Sequence, residues 1–242
     1  MLVRITNHCT MGCSHCLVEA SPNNQHMSAH IYLHTIQFIR RLRDPIIMIS
    51  GGEPTDHPDI LKFLRIANDN HLMTMVLSNG LFVENAELRD KILKLAYGVQ
   101  ITNDSRFYPK KIRKYDHSKI YYEDRIRLLT PVGRAKDMCV TLTKPDDINQ
   151  RVSPMCFNLR SLIRSMSLRG ALDALRQSGK MCTPSINIDG SISVGELAMC
   201  TKIGNVDDSI NSITSKLLCM RCSTCGLINN LNPELRAAIG EP

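Results

Sequence analysis

Apolar and polar positions along the first hundred residues follow two alternating periods. Residues 2–6 form a short apolar run at the start of the chain. Ser28 is placed to cap a helix whose apolar positions Ile31, Ile36, Ile39 and Leu42 roughly share one face, and Pro45 stops it. The continuous run Ile46-Ile47-Met48-Ile49, bounded by a glycine pair, predicts a strand buried on both faces, as in a parallel sheet. Pro58 suits a helix start, and residues 59–69 carry helical spacing. A second buried strand is expected over 72–77, ended by Asn79-Gly80, then a helix over 84–95 and a strand over 98–102. Repeated strand–helix alternation of this kind predicts an α/β fold, a parallel sheet or barrel covered by helices.

The regular pattern fades after residue 102. Residues 103–123 are polar, basic and tyrosine-rich and read as an irregular excursion. A strand is expected over 125–130, no regular element over 131–158, and a helix over 159–178 ending near Gly179. Residues 185–194 alternate apolar and polar around Asp189-Gly190, which predicts a hairpin with a two-residue turn and positive φ at both turn positions. Cys182 and Cys200 flank it. So short a hairpin is marginal alone, and the bracketing cysteines suggest a metal staple.

Composition narrows the class. A chain of 242 residues with 43% hydrophobic residues can bury one large core, and with 5% aromatics and no Trp that core must be aliphatic. No apolar run is long enough to span a bilayer, and the first residues lack the charged-then-apolar order of a signal peptide, so a cytoplasmic location is expected. Ten cysteines are many for a reducing compartment and point to metal binding rather than disulfides. Three crowd residues 9–16 and three crowd residues 219–225; Cys139, Cys156, Cys182 and Cys200 stand apart. The formal charge of +7 is partly local, with Arg106, Lys110, Lys111, Arg113 and Lys114 close together. These read first as a solvated loop, since no stacking aromatics or nucleic-acid motif accompany them; an anionic partner is the alternative.

Three short motifs carry candidate chemistry, each at the C-terminal end of an expected strand, where α/β folds place ligands. Cys9-Thr-Met-Gly-Cys13-Ser-His-Cys16 follows the first strand and puts three thiolates in one loop. A [4Fe–4S] cluster usually takes four, so three leave one iron for another ligand; a zinc site with a remote fourth ligand is the rival. Ser50-Gly51-Gly52-Glu53-Pro54 follows the second strand, and Ser78-Asn79-Gly80 the third.

Together, in this order and spacing, the motifs resemble the radical S-adenosylmethionine (SAM) superfamily over roughly the first hundred residues. The resemblance implies a partial (β/α)6 barrel. It also implies a [4Fe–4S] cluster on Cys9, Cys13 and Cys16, with SAM completing the fourth iron. Gly51, Gly52, Glu53 and Pro54 would hold the SAM amino group, Ser78 and Asn79 would sit near its ribose or carboxylate, and Gln100 and Thr102 are weaker ribose candidates. His15 takes the place of an aromatic residue common beside the adenine. The C-terminal segment resembles the family's SPASM or shorter twitch auxiliary-cluster modules: Cys182, the hairpin, Cys200, Ile203-Gly204-Asn205, then Cys219-Met-Arg-Cys222-Ser-Thr-Cys225. A second [4Fe–4S] cluster on Cys182, Cys200, Cys219 and Cys222 is implied, with Cys225 able to replace Cys219 or Cys222 and zinc the alternative metal. The implied division is a barrel over 1–178 and an auxiliary module over 179–242, in the one-cluster form because the chain stops soon after Cys225. Pro131-Val-Gly-Arg134-Ala135 resembles a stretch found in many auxiliary-cluster members, where Arg134 is either a ligand contact or part of a structural turn.

The expected activity is one-electron cleavage of SAM to a 5′-deoxyadenosyl radical that abstracts hydrogen from a small polar metabolite or a peptide, with a flavodoxin- or ferredoxin-type electron donor. No leader-binding segment precedes the cysteine loop, which weighs against a peptide. A closed second cluster favours net two-electron oxidation. The alternatives are a redox-neutral epimerisation with Cys139, Cys156 or Cys225 returning the hydrogen, and a non-catalytic iron–sulfur or zinc module.

Overall fold

The structure is a computed structural model, and it describes residues 1–124, 133–135, 184–195 and 200–219. The expected strand over 125–130, the helix over 159–178, and Cys139, Cys156, Cys182, Cys222 and Cys225 lie outside these residues.

The chain runs β1 (Leu2–Thr6), α1 (Ala29–Arg41), β2 (Ile46–Gly51), α2 (Ile60–Asp69), β3 (Met73–Ser78), α3 (Ala86–Leu95), β4 (Gly98–Thr102), β5 (Ile120–Glu123), β6 (Ser185–Ile186), β7 (Ser191–Ser193), β8 (Lys202–Asn205) and α4 (Ile210–Cys219). All eight strands form one sheet in the order β5-β4-β3-β2-β1-β6-β7-β8. The first five strands pair in parallel, β6 joins β1 in parallel, and β7 and β8 follow antiparallel. The C-terminal hairpin is therefore built directly onto β1, beside the strand that leads into the cysteine loop.

One register row explains why these strands adhere. Ile192, Ile186, Val3, Ile49, Val76, Val99 and Ile120 stand side by side across β7-β6-β1-β2-β3-β4-β5. All are buried, in one apolar core with Tyr32, Ile36 and Ile39 of α1, Phe63 and Leu64 of α2, and Ile92 of α3. The Tyr32 and Phe63 rings stack at 4.0 Å. Ser28 accepts from Ile31 N at 3.2 Å and Asn85 from Leu88 N at 3.1 Å, so α1 and α3 start on side-chain caps.

The other face differs from expectation. The row Arg4, Ser50, Leu77, Gln100, Tyr121 runs across it, and Ser50, Leu77 and Gln100 are only half-buried. The β2 run 46–49 is thus apolar on both faces but fully covered on one: Ile46 keeps 42% exposure and Met48 is half-buried. Among the described residues α1, α2 and α3 pack on the opposite face.

Two further expectations need correction. Residues 120–123 are not irregular; they form β5, the last strand on that side among the described residues, whose Ile120 and Tyr122 turn toward the core while Tyr121 and Glu123 turn outward. The hairpin turn is not a two-residue one. Gly190 N donates to Asn187 O and Asn187 N to Ser191 O, and in this turn only Gly190 has positive φ, at 79°. This is a type I turn closed by a glycine bulge. Among the described residues no helix is long and apolar enough to cross a membrane.

Candidate cofactor site

The site is assembled where β1, β2 and β3 end. Thr6 closes β1, and its Oγ1 accepts from His8 N at 2.9 Å, turning the chain into the cysteine loop. Gly12, at φ 71°, bends the loop between the first two thiols. Cys9 and Cys13 are buried and Cys16 half-buried, in an apolar patch with Met11, Val18, Ala20, Leu81 and Tyr108. Two backbone amides donate to sulfur: Met11 N to Cys9 Sγ at 3.4 Å and Ala20 N to Cys16 Sγ at 3.3 Å.

Burial raises the Cys9 thiol, and burial, then the adjacent Cys9 and Cys16, push Cys13 up to about 12. Ionising the buried Cys9 and Cys13 thiols is therefore costly unless a cation lies beside them. Among the described residues, no three His, Cys, Asp or Glu side chains are arranged to hold a single metal ion.

The end of β2 is pressed against this loop. Gly52 N donates to Thr6 O at 2.7 Å and Glu53 N to His8 O at 2.8 Å. A Cβ at Gly51 would stand 2.2 Å from Thr6 O, and one at Gly52 2.3 Å from His8 O, so the two glycines permit an approach that a side chain forbids. Pro54 is buried and opens a 3₁₀ turn over Pro54–Asp56.

Glu53 points inward, with no exposure. Its Oε1 accepts from Thr55 N at 3.1 Å, Thr55 Oγ1 at 2.6 Å and Ser78 Oγ at 2.9 Å, and its Oε2 from Asn79 N at 2.7 Å. Burial raises its pKa against the pull of these four donors. The carboxylate ties the end of β2 to the end of β3. The Ser78 hydroxyl is committed twice, since it also accepts from Gly80 N at 2.9 Å. Asn79 Oδ1 accepts from Leu81 N at 2.9 Å, and its Nδ2 lies 3.9 Å from Cys9 Sγ.

The remaining sequence candidates are placed as follows. Gln100 and Thr102 are half-buried at the end of β4, and Gln100 Nε2 donates to Glu123 Oε2 at 3.2 Å. His15 is buried within the loop. Its ring is buried between Phe107 at 5.0 Å and Tyr108 at 5.1 Å, with Nδ1 lacking a partner among the described residues. Burial lowers its pKa, so the imidazole is neutral. Arg134 is held against the cysteine loop, not directed at an open face: Nη1 donates to Cys13 O at 2.9 Å. Cys200 is buried, and a Cβ on Gly195 would stand 2.7 Å from its Sγ. Cys219 ends α4.

Sequence reasoning passed over Thr55 and the pair Phe107-Tyr108. Ser14 N donates to Phe107 O at 3.2 Å, so the start of the basic segment lies on the cysteine loop. The available signal was the adjacent Phe107-Tyr108 pair at the start of that segment.

Comparisons with known proteins agree with this geometry. The model of the Radical SAM superfamily matches residues 3–146. The AdoMet-dependent heme synthase of Methanosarcina barkeri (strain Fusaro / DSM 804) is 29% identical over 98 residues, covering 40% of this chain and 27% of that protein. The match thus spans about a quarter of the relative's length. Among solved structures, BtrN in complex with AdoMet and 2-DOIA superposes with a TM-score of 0.56 at 13% identity, covering 89% of this chain and 82% of that one. An open conformation of BtrN gives 0.54 at 14% identity, with 89% and 80% covered. At these identities the likeness is one of fold.

Proposed function

The chain belongs to the radical SAM superfamily, and we propose that it binds a [4Fe–4S] cluster on Cys9, Cys13 and Cys16 and uses SAM to oxidise its substrate by hydrogen abstraction. The observation that carries this reading is the assembly of three buried thiols, the two close-approach glycines and the Glu53 strut at the joined ends of β1, β2 and β3. When bound, the cluster supplies one electron that cleaves SAM to methionine and a 5′-deoxyadenosyl radical.

The chain's own residues supply position and exclusion. Met11 N and Ala20 N donate to thiolate sulfur. Gly51 and Gly52 offer backbone rather than side chain to the SAM amino group, because the Glu53 carboxylate is spent within the fold. Asn79 holds its loop on Leu81 N and faces Cys9. Neutral His15, with a ring nitrogen to spare, is the adenine neighbour. Phe107, Tyr108 and Leu81 keep water from the loop.

The β1–β6–β7 part of the sheet face that bears Arg4 carries buried polar groups, which favours a polar substrate beside it. Arg4 Nη1 donates to Asn187 Oδ1 at 2.8 Å, and Asn187 Nδ2 to Ser191 Oγ at 3.1 Å and Ser193 Oγ at 2.9 Å, all on that face. A small metabolite is favoured over a peptide; the solved BtrN complex holds 2-DOIA alongside AdoMet. A second cluster on Cys200, Cys219 and cysteines beyond the described residues would accept the substrate's second electron. A flavodoxin- or ferredoxin-type protein would supply the first.

Anaerobic purification and reconstitution test this. The expected protein is brown, carries about eight irons if both clusters form and about four if only the first does, and releases 5′-deoxyadenosine when reduced with SAM. Cys13→Ala should abolish that release. A colourless zinc protein that leaves SAM intact would overturn the proposal.

A further inference from the structure

We propose that Arg134 is the latch of the cysteine loop, a positioning residue that fixes the loop's shape for its cluster and sets a permanent positive charge beside it. The inference rests on the cluster reading above. Arg134 reaches the loop from 121 positions downstream of Cys13. Its Nη1 donates to Cys13 O at 2.9 Å, its Nη2 donates to Ala20 O, and its backbone N donates to Cys16 O at 3.0 Å. Together these carbonyls span the half of the loop that carries the second and third cysteines.

The neighbouring residue shows how tightly the segment is applied. Gly133 adopts φ 57°, and a Cβ there would stand 2.4 Å from Cys16 O and 2.8 Å from Leu17 O. Only glycine allows the Arg134 backbone to reach Cys16 O. Carbonyls accept from any donor, but the planar guanidinium fork can hold two of them at a fixed separation, which a lysine ammonium cannot. Bonds to the carbonyls of cluster-bearing residues orient the thiolates without touching the metal, and an outer-shell group of that kind typically governs metal affinity by about 10–100-fold. The charge has a separate effect, because a cation fixed near an iron–sulfur cluster favours its reduced, more negative form.

The two roles separate by substitution. Reconstituted wild type, R134K, R134M and G133A are compared by the rate at which a chelator strips iron. The midpoint potential is then measured for the cluster whose electron paramagnetic resonance signal changes when SAM is added. R134M should lose iron about 10–100-fold faster and show a more negative potential. R134K should also lose iron faster, because the fork is gone, yet keep a potential near wild type, because the charge remains. G133A, which lifts the segment while keeping the arginine, should lose iron faster as well. A wild-type cluster whose retention and potential are unchanged in R134M and G133A sinks the latch alone. Wild type with no SAM-responsive cluster sinks the cluster reading and the latch with it. Circular dichroism of each variant before reconstitution separates a loop defect from global unfolding, and R134K carries the test if R134M does not fold.

Discussion

Replacing Glu53 with glutamine keeps the shape of the strut and removes one acceptor. The carboxylate receives two backbone amides, from Thr55 at 3.1 Å and Asn79 at 2.7 Å, on different oxygens. A glutamine amide has one oxygen and one NH2. Turned either way, its NH2 faces one of those backbone N–H groups, which then stays buried without an acceptor, at about 1–3 kcal/mol. The hydroxyls of Thr55 and Ser78 can rotate and add little to that cost. Removing the buried charge returns part of the loss, so Glu53→Gln should destabilise by about 1–2 kcal/mol, which for a chain of this size lowers Tm by about 2–4 °C per kcal/mol. Glu53→Ala strands all four donors at about 1 kcal/mol each, on the order of 4 kcal/mol in total.

Chemical denaturation measures the total, and hydrogen exchange at the Asn79 and Thr55 amides measures the local opening. The pH dependence supplies an independent sign. Burial raises Glu53 above its ordinary 4.5. A carboxyl raised in the folded state contributes stability that is complete below the unfolded value and is lost as pH rises through the folded one. Wild type should therefore lose stability relative to Glu53→Gln as pH climbs from about 4.5. A Glu53→Gln protein with wild-type stability and unchanged Asn79 protection would refute the strut.

Other substitutions probe the fold that carries the site. Gly52→Ala drives a methyl to 2.3 Å from His8 O; expression yield and Tm should fall sharply, by more than the 1–3 kcal/mol typical of overpacking. Ser28→Ala removes the α1 cap at Ile31 N and should cost about 1 kcal/mol in urea denaturation. Asp189 is held near 2 although burial opposes it, because Ser191 and Lys202 hydrogen-bond its carboxylate. A carboxyl lowered in the folded state stabilises above its unfolded value near 3.8 and loses that contribution as pH falls toward about 2. Amide protection at Ser191 should fade across that window, and Asp189→Asn should remove the pH dependence.

What the sequence disclosed was governed by how local the deciding force is. β1 to β4 and α1 to α3 were legible because each carries its period and its stop signals within itself. β5 was not, since four residues containing two tyrosines resemble a loop until β4 pairs with them. The Asp189-Gly190 turn misled because that dipeptide serves both a two-residue turn and a type I turn with a glycine bulge. The choice falls to Asn187, whose amide is drawn to Ser191 and Ser193 while its oxygen accepts from Arg4, 183 residues away. The reading of the cysteine loop drew on the motifs after β2 and β3, and that Cys9, Cys13 and Cys16 share one loop after β1 was legible from their spacing. The inward turn of Glu53 and the burial of His15 were not, because depth is set by β3 and by Phe107-Tyr108, far along the chain.

The two motifs after β2 and β3 were weak when taken singly and informative when taken together, and the structure gives a physical cause for that. Ser50-Gly-Gly-Glu53-Pro54 and Ser78-Asn79-Gly80 are not two ligand-binding turns that happen to coexist; one carboxylate joins them. Glu53 takes its donors from Thr55 in its own turn and from Ser78 and Asn79 in the next. The same residue's amide donates to His8 O, beside Cys9, which couples the pair to the thiols. Displacing any one of the three strand ends would strand buried donors on the others. Glutamate at 53 therefore matches a hydroxyl donor at 78, the donor at 79 being a backbone amide that any residue but proline supplies, and the close approach of the His8 carbonyl requires glycine at 52. The co-occurrence that marks this family in sequence is, in this chain, a set of hydrogen bonds that holds the cysteine loop against two neighbouring strands.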